Sequence, residues 1–207
     1  MSIDLNAYLL SCDFDEYKIT EGSSSAESLD WLIHIISLHA PHSKNIMEIG
    51  LNLGKSAEKL LNETDAHITS FDLREFAYSG FVEEYFQKFY PTRFNVIWGD
   101  STTTVSHYAD ETQRVFDVIF IDGGHDYEIA KADLENCRLL SDEKTVIILD
   151  DYVISGYFEG NPVFMQSWNI GPTKAWDEMV AAGIIEVIEG SYKNFDGGRG
   201  HIAGRYI

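Results

Sequence analysis

The sequence predicts an α/β fold, a doubly wound and mostly parallel seven-stranded sheet with a final antiparallel strand. Five short runs rich in Ile, Val and Phe alternate with segments of helical period, the pattern of right-handed βαβ units whose sheet is covered on both faces. Each run ends in an acidic residue or a glycine, as buried parallel strands do where ligands collect at their carboxyl ends. The last two runs are joined by a short link holding Gly197, Gly198 and Gly200, which favours antiparallel pairing over a helical crossover.

The elements follow in order. Ser25 to Leu38 reads as a helix on the sheet edge, with Ser24 or Ser25 as N-cap and Glu27 in its first turn. Strands are expected over Asn45–Gly50, His67–Asp72, Phe94–Asp100, Phe116–Gly124 and Lys144–Asp151, with helices over Lys55–Leu61, Phe81–Phe89, a shorter stretch after Ser101, and Tyr127–Leu140. In the last of these, Ile129, Ala132, Leu134, Cys137 and Leu140 form the apolar stripe and Asp133 and Glu135 turn outward. Pro172–Ala182 reads as a helix, and Ile184–Ile188 and His201–Tyr206 as strands. Between Val153 and Gly171 no period is clear, and Tyr157, Phe158, Phe164 and Trp168 stand there. Long loops of this kind are acceptor-pocket walls or lids, or capping segments that bury their own aromatics. The organisation expected is one domain over 1–207, with 1–40 as an N-terminal helical extension and 152–171 as an acceptor loop.

Composition limits the function classes. The 207 residues carry 34 Asp and Glu against 15 Lys and Arg, a formal charge of −19, which opposes attachment to nucleic acid or an anionic membrane. A hydrophobic fraction of 44% supports a full core without staples. Cys12 and Cys137 form no C-x-x-C pair, so a structural zinc site or disulfide framework is not expected. Neither a basic, apolar leader nor a membrane-length apolar run is present, and a cytoplasmic protein is expected.

Chemistry concentrates in two constellations. The first is Glu48, Gly50, Asn52 and Gly54, closing a strand and opening a helix, where glycines let the backbone approach a ligand and the helix start presents free N–H groups. A dinucleotide fingerprint needs glycine where Asn52 stands, and Glu48 is unfavourable beside a diphosphate. A cationic adenosine ligand without phosphates fits better, with Asp72 at the next strand end accepting from both ribose hydroxyls; the alternative for Asp72 is a cap or turn residue. The second constellation is Asp122, Asp150 and Asp151, at the ends of neighbouring strands. Three converging carboxylates need a cation or protons, and oxygen donors suit Mg²⁺, Mn²⁺ or Ca²⁺. Otherwise Asp150 caps a turn and Asp151 is solvated. His125, after a Gly-Gly turn, can take a hydroxyl proton without a large pKa shift, or is a loop residue. His34, His39, His42, His67, His107 and His201 read as structural.

Taken together, EIGLNLGKSA, SFDLRE, WGDS and FIDGGHDYE followed by ILDD resemble class I S-adenosylmethionine-dependent methyltransferases, most of all the group of macrocin O-methyltransferase and cephalosporin-hydroxylase-like proteins. The resemblance implies a Rossmann-like methyltransferase fold. It places Glu48, Gly50, Asn52 and Gly54 at the methionine end of the cofactor, Asp72 at its ribose, and Asp100 with Ser101 at its adenine, while Ser23 to Ser25 reach its carboxylate. Metal-dependent enzymes of the catechol type are similar in having an Asp at the end of strand four and an Asp-Asn pair at the end of strand five; here Asp151 replaces that Asn, and His125 falls where they carry a lysine. Asp122 is thereby assigned to metal, cofactor and catalysis, alongside His125.

The function expected is methyl transfer from S-adenosylmethionine to a hydroxyl of a small acceptor, a sugar or phenol, assisted by Mg²⁺ or a similar ion at Asp122, Asp150 and Asp151. A metal-independent enzyme using His125 as base, a non-catalytic cofactor-binding protein and a nucleotide-dependent oxidoreductase are the alternatives. No nucleic-acid or membrane partner is expected, and a homodimer is the default assembly.

Overall fold

A computed structural model describes residues 4–12, 24–154, 156–158, 161–163, 165–196 and 199–207. Strands β1 (Asn45–Ile49), β2 (His67–Asp72), β3 (Phe94–Trp98), β4 (Val118–Ile121) and β5 (Val146–Leu149) are all parallel. With β8 (Ile185–Val187) and β10 (Arg199–Tyr206) they run in the order β3-β2-β1-β4-β5-β10-β8, and β9 (Lys193–Asp196) pairs with β10 to complete eight strands. As expected from the short final link, β10 is antiparallel to both β5 and β8. The order reverses between β1 and β4, so the carboxyl ends of these two strands open a crevice.

Strand side chains alternate between two cores, because successive residues point to opposite faces. Ile46, Ile68, Phe120 and Ile148 face one cluster, and Met47, Phe71, Ile119 and Ile147 the other. On the first face lie α1 (Leu5–Ser11), α2 (Ala26–His39), α3 (Lys55–Glu63) and α4 (Ser79–Phe89). The second is covered by α5 (Ser101–Thr112), α6 (Tyr127–Cys137) and α7 (Ile170–Ala181).

Several expectations need correction. Helix α2 lies on the sheet face against β5, β9 and β10, and not on its edge, because Leu32, Ile35 and Ile36 form a stripe wide enough to cover strands. Ser25 is its cap, accepting from the Ser28 N–H at 3.1 Å. The N-terminal extension includes α1, whose Leu5, Tyr8 and Leu9 join the first core. Asp133 does not turn outward: it is fully buried beside Leu134 on α6. The helix expected to reach Leu140 ends at Cys137 and tightens into a 3₁₀ turn over Arg138–Leu140. The segment after β5 holds a hairpin, β6 (Gly156–Phe158) with β7 (Asn161–Val163), which places Tyr157 and Phe158 in β6, while Phe164 lies outside the described residues.

Candidate active site

Where the chain leaves β1 it turns through three positive φ angles, at Gly50 (94°), Asn52 (44°) and Gly54 (77°). Gly50 is required there, since a Cβ would stand 1.9 Å from the Asp122 carbonyl oxygen. The turn is tied to β2 by Asp72, whose Oδ2 accepts from the N–H groups of Leu51 at 3.0 Å and Asn52 at 2.9 Å. Asp72 Oδ1 accepts from the Arg74 N–H at 2.8 Å, so this residue does stabilise turns while also facing the crevice. Asn52 accepts a hydrogen bond from the Tyr78 hydroxyl. Asp100 caps α5, its Oδ1 accepting from the Thr102 N–H at 2.9 Å and hydroxyl at 2.7 Å.

These residues enclose a cavity of about 500 Å³, lined by Gly50, Asn52, Gly54, Asp72, Asp100, Ser101, Asp122 and His125, within the range of small-molecule sites. Ser24 lines it too, whereas Ser25 is engaged as a cap and Ser23 lies outside the described residues. Lys55, Leu73 and Phe76, to which the sequence motifs give no role, also line it, as does Ile129, expected in the apolar stripe of its helix. Lys55 and Leu73 directly follow Gly54 and Asp72, so adjacency to the motifs was the available signal.

Glu48 does not face this cavity. It is fully buried, with Oε1 accepting from Ser56 and Oε2 from Ser70, each at 2.5 Å. It is absent from the cavity lining: strand alternation turns it to the face covered by α3, where it clamps α3 to β2. Burial, opposed by the two serine hydrogen bonds, raises its pKa to about 7.

Of the second constellation only Asp122 lines this cavity; Asp150 and Asp151 border a smaller adjoining hollow with Asp122 and His125, where β4 and β5 end. Asp122 and Asp150 meet side chain to side chain, and burial together with the negative charge of Asp150 and Asp151 raises Asp122 strongly, which makes it the protonated partner. Burial opposes ionisation of Asp150, but the His201 imidazole, with Nε2 at 2.7 Å from Oδ1, outweighs it and keeps Asp150 low. Asp151 is raised by burial and holds His125, with Nε2 at 2.9 Å from its Oδ2. That hydrogen bond is the largest cause raising the His125 pKa. Asp151 adopts φ 55°, a left-handed conformation that Asp and Asn tolerate better than other residues.

His201, expected to be structural, is buried among Trp31, Phe120 and Phe195 and is paired with Asp150. No local signal marks it, because β10 alone carries it to β5. The three carboxylates have the donor chemistry of a hard-cation site, but their arrangement differs from one. Asp151 turns to His125 and Asp150 to His201, and among the described residues no group of three His, Cys, Asp or Glu is placed to hold a metal ion.

On the outer side, Gly171 approaches so closely that a Cβ would stand 2.1 Å from the His125 carbonyl oxygen. The end of the loop expected to contact the acceptor thus packs on the His125 turn. Met165, Trp168 and Ile170 in this stretch are exposed.

Comparison with known proteins bears on this geometry. A family model described as a methyltransferase domain matches residues 47–152. No curated protein matches the sequence. The fold is similar to an O-methyltransferase from Bacillus cereus in complex with SAH, at 19% identity over 97% of this chain and 90% of that one, with a TM-score of 0.74. It is also similar to the O-methyltransferase TomG of Streptomyces achromogenes, involved in tomaymycin synthesis and in complex with SAM, at 14% identity over 98% and 87% of the two chains, with a TM-score of 0.69. A third likeness is the SAH-bound methyltransferase PaMTH1 of Podospora anserina, at 20% identity over 99% and 88%, with a TM-score of 0.67.

Proposed function

The chain belongs to the methyltransferase domain family, and from that premise we propose that it is an S-adenosylmethionine-dependent O-methyltransferase acting on a hydroxyl of a small acceptor, a sugar or phenol. The carrying observation is one cavity that joins the Gly50–Gly54 turn, Asp72 and Asp100 to His125. S-adenosylmethionine, when bound, supplies an activated sulfonium methyl. Volume, a glycine turn at the cavity wall and an acidic lining suit that cationic, phosphate-free molecule. Asp72 accepts from the ribose hydroxyls with the oxygen valence left by its turn hydrogen bonds, and Asp100 and Ser101 meet the adenine.

His125 is the base. Its Nε2–H donates to Asp151, so the neutral ring has its lone pair on Nδ1. With S-adenosylmethionine bound, the acceptor hydroxyl would give its proton to Nδ1 as its oxygen takes the methyl and the sulfonium leaves as a neutral thioether, and Asp151 would stabilise the imidazolium. Asp122, held neutral against Asp150, adds no negative charge beside the developing nucleophile. The described residues 165–171 of the expected acceptor loop wall the acceptor side.

A second reading replaces the proton between Asp122 and Asp150 by a divalent cation. It is favoured by the contact of those two carboxylates, which one positive charge must separate. One set of measurements tests both readings. EDTA-treated protein is titrated calorimetrically with S-adenosylhomocysteine, then assayed by mass spectrometry with S-adenosylmethionine against phenols and sugars, with and without Mg²⁺. Binding and a product one methyl heavier in EDTA support the His125 base alone. A product formed only after Mg²⁺ is restored supports the cation. Absence of binding at millimolar ligand overturns the methyltransferase reading, and binding without any product leaves a non-catalytic cofactor protein.

A further inference from the structure

Beneath the cavity floor, on α6, lies a carboxylate that the chemistry above does not use. Asp133 is fully buried, and among the described residues no donor meets either of its oxygens at hydrogen-bond geometry. Its Oδ2 is directed at the turn after β4, 2.9 Å from where a Cβ on Gly123 would stand. The Ser101 hydroxyl faces it closely enough to lower its pKa without completing a bond, but burial, the larger effect, raises it to about 6. Ser101 and Gly123 both line the cavity above. A buried acceptor without a donor is costly, and the Ser101 hydroxyl, in position to relieve it, is at the cavity wall.

We infer that Asp133 is a positioning residue: it draws the Ser101 O–H toward itself, leaves the Ser101 oxygen as an acceptor, and so makes the site select the exocyclic amine of adenine over a 6-oxo purine. This rests on the S-adenosylmethionine reading above. A hydroxyl has one proton and two lone pairs. Left alone, Ser101 could turn its proton toward the cavity and serve an amine or a carbonyl equally. Once that proton is committed to Asp133, the lone pairs face the ligand. Asp100 lies close enough for its charge to be felt at Asp133, and its carboxylate also only accepts. Two acceptors together suit a ring N–H₂ and repel a ring carbonyl, the arrangement from which polar discrimination is obtained.

The test compares S-adenosylhomocysteine with S-inosylhomocysteine by calorimetry on the wild type, Asp133→Asn and Asp133→Leu, with thermal unfolding as a check on folding. The wild type is expected to prefer the adenosyl compound. Asp133→Leu loses that preference, its affinity for the adenosyl compound falling about tenfold while affinity for the inosyl compound does not fall. Asp133→Asn, which keeps an oxygen acceptor for Ser101, retains the preference. Should the Leu variant not fold, Ser101→Ala carries the same expectation of lost preference. An equal loss for both compounds would mean a packing role and overturn the inference, as would a preference unchanged in the Leu and Ala variants. A wild type that binds neither compound overturns the cofactor reading itself, a result distinct from binding without discrimination.

Discussion

At the scale of single residues, the proposed base His125 and its partner Asp151 are expected to set how the site responds to pH. The Asp151 hydrogen bond raises His125 above its ordinary value of 6.5, and a base works only in its neutral form. Activity is therefore expected to fall as pH drops through that raised pKa and to level off above it. Asp151→Asn should move this acidic limb to lower pH by about one unit and reduce the plateau rate about tenfold, because the ring loses both a negative neighbour and part of its orientation. Rates measured from pH 5 to 9 decide the matter; a limb that stays in place would show that His125 is not the titrating base. Asparagine accepts the same left-handed backbone, so the fold should survive. The sequence marked His125 through its Gly-Gly turn, but the Asp151 contact was not legible, since it depends on the backbone angle at 151.

Among the elements, the β1–α3 turn does most to position the cavity. Its glycines and the acidic end of β2 were legible because both are local signals at strand ends. The link between them, two turn N–H groups on Asp72 Oδ2, became visible only with the strands paired. Gly50→Ala should be severe. The new methyl would collide with backbone at Asp122, which cannot rotate away as a side chain can, and φ 94° is unfavourable for alanine. We expect a loss of at least about 3 kcal/mol in urea unfolding, the range reserved for such named defects, together with loss of S-adenosylhomocysteine binding. A variant unfolding at the wild-type midpoint would contradict the close approach of β1 and β4. Asp133 shows the opposite limit of sequence reading. Helical periodicity placed it on the outward side of the α6 stripe, yet packing between the α5 side and the sheet encloses it.

For the molecule as a whole, buried carboxyls whose pKa is raised, Glu48 among them, contribute stability that falls as pH rises. Glu48 titrates at about 7 folded against 4.5 in an unconstrained chain. Between those values the folded state holds the extra proton, so the contribution is intact below pH 4.5 and is lost as pH rises through 7. For this enclosed group the loss is of order 3 kcal/mol. Glu48→Gln cannot ionise, and its unfolding free energy should vary less over pH 4.5 to 7 than that of the wild type; parallel curves from urea titrations would refute the assignment. No described helix is long and apolar enough to cross a membrane. Alone, the sequence determined the alternation of strands and helices, the antiparallel return of the last strand and the strand-end motifs, because periodicity and turn chemistry are properties of neighbouring residues. Only the tertiary structure decided which acids face the cavity: Glu48 went to two serines, Asp150 to a histidine on β10, and Asp133 under the floor. The physical reason is that a carboxylate takes its role from the donors and the burial around it, and here those come from chain segments remote in sequence.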